Sequence, residues 1–324
     1  MNDDGTGLGS LFAIDTHAHV YPSAYLDQLE RIGVPGASTA IARGMRADST
    51  EEDMSTRLHW MDRAGVDRQV IAVTPQVPAG PEEASSAQAA RDINDEYAQI
   101  VRRYRGRFAA YGVLPLPHVD AACAEVPRIL DELGMLGVSI PTVLPGPTSI
   151  AEEKFDPVWA ALDERAAIVN IHPTGSGAHT SLISGHHLEW VNGAPVEDAI
   201  AVLHLLKADI PGRYPNIRFH VAHLGGDLPF LAQRIEDNFA DWNAFPRSPL
   251  ESLRGMWFDA ANFHEPSLRL AAETLGVDRI LAGSDHPYFQ NEKYVRAFDY
   301  VRDAALPGSD RRAILHGNAR RLYT

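Results

Sequence analysis

The chain of 324 residues is predicted to fold as a (β/α)8 barrel, and three observations support that fold class. Eight short apolar runs rich in β-branched residues recur along the sequence, amphipathic helical patterns lie between them, and no GxGxxG turn of a doubly wound sheet follows the first run. Because no Pro/Ser/Gly tract or charge block divides the chain, residues 11–324 are expected to form one domain after a flexible tail over residues 1–10.

Each predicted strand is an apolar run in which β-branched residues are frequent, and each predicted helix repeats its apolar residues at helical spacing. In chain order the predicted strands are Leu11–Val20, Arg68–Thr74, Phe108–Leu114, Gly137–Val143, Ile168–His172, Ile217–His223, Met256–Ala261 and Arg279–Ser284. The predicted helices are Glu51–Ala64, Ala84–Tyr104, Ala121–Leu133, Asp156–Arg165, Val196–Ile210, Leu228–Phe239, Pro266–Leu275 and Lys293–Asp303.

Two connections are unusually long and are rich in Gly, Pro, His and Ser. They are Tyr21–Ser49, after the first strand, and Gly175–Ala194, after the fifth. Segments that follow the strands of a barrel lie at its C-terminal face, where active sites gather. Both connections are therefore expected to border the functional site.

The amino-acid composition indicates which kinds of molecule the protein is expected to bind. Forty-three acidic residues against 29 basic ones give a net charge of -14, which disfavours binding to nucleic acid or to an anionic membrane surface. Cys123 is the only cysteine, so neither an intrachain disulfide nor a thiolate metal cluster can form. The sequence shows no secretory leader and no apolar run of about 18 residues. We expect a cytoplasmic protein that acts on small molecules.

The motif Asp15-Thr16-His17-Ala18-His19 closes the first predicted strand. Side chains alternate along a strand, so His17 and His19 point to the same face, into the mouth of the barrel. Neutral imidazole is a common ligand for divalent transition metals. The pair therefore indicates a metal site, although two histidines on a polar rim would give the same pattern.

Three further strand ends carry a side chain able to bind a metal or transfer a proton: His172, His223 and Asp285. Strand ends converge at the mouth of a barrel, so these side chains are expected to meet His17 and His19 there. His220, three residues before His223, is expected to face the helices. The only lysines are Lys154, Lys207 and Lys293, outside the fourth strand, so a lysine-bridged pair of ions is excluded and one ion is expected.

With these residues the chain resembles the amidohydrolase superfamily and, within it, the α-amino-β-carboxymuconate-ε-semialdehyde decarboxylase family, which includes γ-resorcylate and 6-methylsalicylate decarboxylases. The resemblance runs nearly end to end. The segments that carry it are IDTHAHVYP at 14–22, HWMDRAGVDRQVIAV at 59–73, IHP at 171–173, EWVNGAPVEDAIAVL at 189–203, RYPNIRFHVAHLGGDLPFLAQRI at 213–235, DRILAGSDHPYF at 278–289 and GNARRLY at 317–323.

The resemblance implies a role for individual residues. It implies one divalent ion held by His17, His19, His172 and Asp285, with His223 as the acid/base beside it. Two versions of the reaction fit these residues: His223 deprotonates metal-bound water in one, and Asp285 relays the proton in the other. The donor set suits Zn²⁺, which we favour, and Mn²⁺ accepts the same ligands.

For the substrate, the resemblance implies contacts at four positions. Arg46 matches an arginine that binds the substrate carboxylate, and Trp190 matches the second of an aromatic pair whose first position is His187 here. Arg234 matches an arginine that some dimeric members insert into the neighbouring subunit's site, and a surface helix charge explains it equally well. A homodimer is implied by the family.

The first functional hypothesis is non-oxidative decarboxylation of a hydroxybenzoate-like or muconic-semialdehyde acid. The alternative is a hydrolase of an amide, lactone or ester, because the same metal ion and His223 would also activate water against a carbonyl. A third hypothesis is a barrel that binds a metal or a small acid without catalysis.

Overall fold

Eight parallel strands pair in chain order in the computed structural model, which describes residues 12–324. The strands are β1 Ala13–His19, β2 Val66–Ala72, β3 Phe108–Val113, β4 Gly137–Pro141, β5 Ile168–His172, β6 Arg218–Val221, β7 Trp257–Asp259 and β8 Ile280–Leu281. Backbone hydrogen bonds join the two ends of the sheet: Thr16 N donates to Ala282 O (2.9 Å) and Asp285 N donates to His17 O (2.8 Å). The predicted (β/α)8 barrel is confirmed.

Residues 1–10, the expected flexible tail, lie outside the described residues, and the domain boundary at residue 11 stays a prediction. Within residues 12–324, no helix is long and apolar enough to cross a membrane.

Helices alternate with the strands and cover the outside of the barrel. The α-helices are Ser23–Arg31, Gly36–Thr39, Glu51–Arg63, Glu83–Arg103, Val119–Pro127, Asp156–Asp163, Ser181–Ser184, Ala194–Lys207, Ile210–Arg213, Leu228–Trp242, Pro249–Arg254, Glu265–Ala271, Glu292–Arg302, Gly308–Arg312 and Asn318–Leu322. Four wider π-helical turns adjoin these helices, at Arg128–Glu132, Glu189–Gly193, Ala272–Gly276 and Ala313–Gly317.

Local sequence explains where these helices begin and which face they bury. The side chain of Thr50 accepts a hydrogen bond from Asp53 N at the start of Glu51–Arg63, and three acidic residues in the first turn complement the helix dipole. Helix Glu83–Arg103 buries Ala89, Ala90, Ile93 and Tyr97, which share one face at helical spacing. Each predicted helix of the barrel is found at its place in the chain.

A separate buried cluster fills the barrel beneath its mouth. It draws on five strands and the last helix, with Val70, Ala72, Tyr111, Ile168, Trp257, Leu281, Ala319 and Leu322 as its buried members. The barrel is therefore a packed core and not a channel, and the space available to a ligand lies above it, at the C-terminal ends of the strands.

Candidate metal centre

Four side chains predicted to bind a metal meet at the mouth of the barrel. His17, His19, His172 and Asp285 each offer a ligand atom, these atoms all lie within 4.8 Å of one another, and all four residues are buried. They come from β1, from the end of β5 and from the segment after β8. The side chains thus converge because the parallel strands that carry them end at the same face.

In each of the three imidazoles, Nδ1 is occupied by an acceptor and Nε2 points to the centre. His17 donates its Nδ1–H to Asp259 Oδ2 (2.9 Å), His19 to Ala72 O (3.3 Å) and His172 to Pro173 O (2.8 Å). A carboxylate or carbonyl fixes the tautomer of a ligand histidine in this way and orients its ring. The three Nε2 atoms are left as electron-pair donors.

The spacing of the donor atoms fits a single divalent ion. His17 Nε2 lies 3.1 Å from His172 Nε2 and 3.4 Å from Asp285 Oδ1, and His19 Nε2 lies 3.2 Å from the same oxygen. Ligands about 2.0–2.2 Å from one ion are about 3.0–3.6 Å apart. Two neutral rings that donate through Nδ1 would direct the electron pairs of His17 Nε2 and His172 Nε2 toward each other. A cation between them would remove that repulsion, so the donor set fits the metal.

Burial keeps two of these histidines neutral. Burial, reinforced by neighbouring His17 and only partly offset by the hydrogen bond to Asp285, lowers the pKa of His19 to about 4. Burial and the adjacent rings of His19 and His17 hold the pKa of His172 well below its ordinary value. Neutral imidazoles are the form that binds a metal.

His223 stands beside the four ligands and has a carboxylate partner of its own. Its Nδ1–H is donated to Asp198 Oδ2 (2.8 Å), and its Nε2 lies 3.6 Å from Asp285 Oδ2. Burial alone would lower the pKa of His223, but the hydrogen bonds to Asp198 and Asp285 outweigh it and raise that pKa well above its ordinary value. The arrangement holds a proton at the edge of the metal centre.

The backbone at His223 and Asp285 explains why their side chains turn into the mouth. Both residues have left-handed backbone conformations, with φ of 51° and 54°, and Leu224 follows with φ of 56°. Such conformations are uncommon for residues other than Gly and concentrate at functional sites. Gly226 completes the turn, because a Cβ there would lie 2.0 Å from Pro195 O. Pairing in β6 and β8 therefore ends earlier than the sequence predicted.

His220 lies inside the barrel, so the prediction that it faces the helices is wrong. Its Nε2 lies 3.2 Å from Asp259 Oδ2 and its Nδ1 lies 3.1 Å from Tyr111 OH. The prediction assumed strict alternation as far as His223, and the left-handed turn at His223 ends that alternation. Asp259 thus contacts both His17 and His220.

A cavity of about 380 Å³, which we call the proximal cavity, opens onto the metal centre. His172, His223 and Asp285 form one side of it. The aromatic side chains on its other sides are those of Trp190, Phe263, Tyr288 and Phe289. Trp190 stacks on Tyr288 with ring centroids 5.5 Å apart and planes 27° apart. The volume and the flat apolar walls suit a small aromatic ring.

Of the four predicted substrate residues, one lines the proximal cavity and three do not. Trp190 lines the proximal cavity. Arg46 does not: its side chain is 69% exposed and its Nη2 lies 3.6 Å from Glu52 Oε1. His187 is also exposed and does not line the cavity, and Arg234 lies on the outside of the barrel in helix Leu228–Trp242.

Three residues of the site were not recognised from the sequence. Asp259 ends β7, but the strand predicted from the sequence ran on to Ala261, so Asp259 was not counted among the strand ends. The sequence signal for Asp198 was weaker: it is an acidic residue on the buried face of helix Ala194–Lys207. Tyr288 lies three positions after Asp285, and only the fold shows that it reaches Trp190.

Known proteins match this chain over most of its length. A family model described as amidohydrolase matches residues 14–324. A 2-amino-3-carboxymuconate-6-semialdehyde decarboxylase of Dictyostelium discoideum is 27% identical, covering 85% of this chain and 81% of the relative. A gamma-resorcylate decarboxylase of Rhizobium radiobacter is 28% identical, covering 83% and 86%. A 6-methylsalicylic acid decarboxylase of Penicillium expansum is 26% identical, covering 96% and 95%.

Solved structures share the fold. A 2,6-dihydroxybenzoate decarboxylase from Rhizobium superposes with a TM-score of 0.83 at 24% identity, covering 96% of this chain and 98% of the other. A 5-carboxyvanillate decarboxylase from Sphingomonas paucimobilis superposes with a TM-score of 0.86 at 22% identity, covering 97% and 99%. The resemblance stated from the motifs is confirmed, and the chain belongs to the amidohydrolase family.

Proposed function

We propose that the protein is a metal-dependent, non-oxidative decarboxylase of a small aromatic acid with a hydroxyl group beside its carboxylate, or of a muconic-semialdehyde acid. The observation that carries the proposal is the proximal cavity, in which aromatic walls face His223 and two of the metal ligands, His172 and Asp285. The sequence relatives named above, similar over four-fifths or more of this chain, are all decarboxylases, which supports this activity over the hydrolase alternative.

The chain's own residues bind the acid and supply the proton. A divalent ion held by His17, His19, His172 and Asp285 would supply Lewis acidity toward the carboxylate and the neighbouring oxygen. Trp190 and Tyr288 hold the ring against this centre. His223, whose pKa is raised, holds a proton on Nε2 at the cavity wall, and Asp285 Oδ2 lies 3.6 Å from that nitrogen, within reach of a relay.

Protonation of the ring carbon that bears the carboxylate avoids a free carbanion. The carbon accepts the proton from His223, directly or relayed by Asp285, the bond to the carboxylate breaks, and its electron pair returns to the ring as CO2 leaves. The product carries hydrogen where the carboxylate was. The aromatic walls keep bulk water away from the protonated ring while the bond breaks.

The direct test is to incubate the metal-loaded protein with a panel of 2-hydroxybenzoates, dihydroxybenzoates and muconic semialdehydes and to measure CO2. Release of CO2 with formation of the matching phenol supports the proposal. Incorporation of labelled oxygen from water into a product carboxylate, without CO2, would establish the hydrolase instead. Binding of these acids with neither reaction, and with no effect of His223→Ala on that binding, would favour a barrel that binds without catalysis.

We infer that the ion is Zn²⁺, because three imidazoles and one carboxylate are a common zinc donor set. Mn²⁺ is the second candidate, and a structural neighbour, a dihydroxybenzoic acid decarboxylase from Polaromonas, was solved with bound manganese. Metal analysis of the protein purified without added metal, followed by reconstitution of the stripped protein with each ion, decides between them.

We also infer a homodimer in which Arg234 reaches the partner's site. Phe230 and Trp242 are 78% and 79% exposed on the helix that carries Arg234, which a second copy would cover. None of the described residues that line the proximal cavity is Arg or Lys, so a cation from a second copy would complete a site for an anion. Sedimentation of the protein and of Arg234→Ala, with activity measured on both, tests the inference; a fully active monomer would refute it.

Arg46 and His187 stay predictions of substrate contact, and cytoplasmic localisation stays a prediction from the composition. Both residues lie on the long connections at the barrel mouth, Tyr21–Ser49 and Gly175–Ala194. Arg46→Ala is expected to raise KM for the acid more than it lowers kcat if the guanidinium binds the carboxylate. An unchanged KM would remove Arg46 from the site.

A further inference from the structure

A second cavity of about 480 Å³ lies at the barrel mouth, and we call it the distal cavity. It is formed by the segments that follow β1, β2, β4 and β5. Most of its lining is apolar and includes Val34, Pro35, Ile41, Val77, Ala79 and Leu144. The four metal ligands do not line the distal cavity, so the proposed decarboxylation does not explain what this cavity binds.

Trp190 is the wall shared by the two cavities. On one side its ring stacks on Tyr288. Another edge packs against Gly175, where a Cβ would lie 2.2 Å from Trp190 Cζ2. A ring that stacks on Trp190 in the proximal cavity therefore has the distal cavity immediately beyond the indole.

Polar groups at the distal cavity are mostly engaged with the protein itself. Gln76 Nε2 donates to Ser38 O (3.0 Å), and Ser176 Oγ donates to Glu197 Oε1 (3.1 Å). None of the described residues lining the cavity is Arg or Lys, and Glu189 is its one acidic residue. The only ionisable side chains among the described lining residues are those of Glu189 and of His179, which is exposed to solvent. The rest of the lining is mostly apolar, so an apolar group bound there would remove apolar surface from water.

We propose that the distal cavity binds an apolar substituent, an alkyl chain or a second ring, on the acid whose carboxylate lies at the metal centre. This inference rests on the proposed function and names the substrate class more narrowly. The carboxylate lies at the metal ligands, the aromatic ring lies against Trp190, and the substituent passes the indole into the distal cavity. An unsubstituted hydroxybenzoate leaves that cavity to water and is the poorer substrate.

The test is a series of 2-hydroxybenzoates with an n-alkyl chain of increasing length at position 4 or 6. Each methylene buried in the distal cavity is expected to raise kcat/KM about fourfold until the chain fills it. The variant Ala79→Phe fills the cavity and is expected to abolish the gain with chain length. Ala84→Phe, an equal enlargement at an exposed position in the next helix, is the matched control and keeps the gain.

Binding of 3-alkylphenols, the corresponding products, is measured by calorimetry on the same metal-loaded proteins. If no acid is decarboxylated but phenol affinity still rises with chain length in the parent and not in Ala79→Phe, the distal cavity binds the chain and the proposed reaction fails. If CO2 is released while both kcat/KM and phenol affinity are independent of chain length, the reaction stands and the inference about the distal cavity is overturned.

Discussion

At the scale of single residues, the site depends on which group accepts the hydrogen bond from Nδ1 of each histidine. Asp259 accepts from His17 and Asp198 accepts from His223, and both carboxylates are completely buried. The two pairs differ in purpose, because His17 offers Nε2 to a metal and His223 offers Nε2 to the cavity. A substitution of Asp259 should therefore affect metal binding, and a substitution of Asp198 should affect proton transfer.

Asp259→Asn is expected to weaken metal binding about 10- to 100-fold, because a neutral amide orients and polarises His17 less than a carboxylate does. The measurement is competition with a chelator of known affinity, which needs no substrate. Asp278→Asn, the same change at an exposed position, is the control and should bind the metal as the parent does. Equal affinity in all three proteins would mean that Asp259 has no influence on the metal.

Asp198→Asn is expected to lower kcat about 100-fold or more while metal content stays full, because His223 loses the carboxylate that fixes its tautomer and supports its charge. Turnover and metal content are measured on the same preparation. Asp303→Asn, at an exposed position, controls for loss of one negative charge. A parent-like kcat in Asp198→Asn would show that proton transfer does not depend on the Asp198 carboxylate.

At the scale of elements, Glu197 on helix Ala194–Lys207 fixes the segment that follows β5. Its oxygens accept from Thr142 Oγ1 (2.9 Å), Thr174 N (2.7 Å) and Oγ1 (2.8 Å), Ser176 Oγ (3.1 Å) and Ala178 N (3.3 Å). One fully buried carboxylate thus satisfies donors over residues 174–178 and positions the segment that leads to Trp190.

Glu197→Gln places an amide N–H₂ where one carboxylate oxygen accepted, so at least one buried donor loses its partner. The free energy of unfolding is expected to fall by about 1–3 kcal/mol. Urea denaturation measures the loss, and hydrogen exchange should accelerate over residues 174–180. Glu164→Gln, at an exposed position, should change neither quantity. Unchanged exchange over this segment in Glu197→Gln would show that the carboxylate does not order it.

At the scale of the whole molecule, the sequence predicted the site residues that lie at the ends of the barrel strands. Strand ends converge, so the meeting of His17, His19, His172, His223 and Asp285 was predictable from their positions, and the resemblance to the family separated the four ligands from His223. Residues that depend on the path of a connection were not predictable in this way. Arg46 was chosen by matching a family position. Its side chain pairs with Glu52 in solvent, and its backbone is left-handed, with φ of 53°, which the sequence did not predict.

The metal should also stabilise the barrel, because its ligands join the first strand to the last. His17 and His19 lie on β1, and Asp285 follows β8 at the point where backbone hydrogen bonds close the sheet. An ion that binds only the folded chain adds about 2.7 kcal/mol of stability at 100 times its dissociation constant.

Removal of the metal with a chelator is therefore expected to lower the Tm, and addition of the ion should restore it in a concentration-dependent manner. His172→Ala, which removes one of four ligands, should show a smaller response to the same ion concentrations. Calorimetry of the stripped and reloaded proteins measures both effects. If stripped and reloaded proteins unfold at the same temperature while metal content differs, the four side chains do not hold the ion in the folded state, and the assignment of the metal centre is wrong.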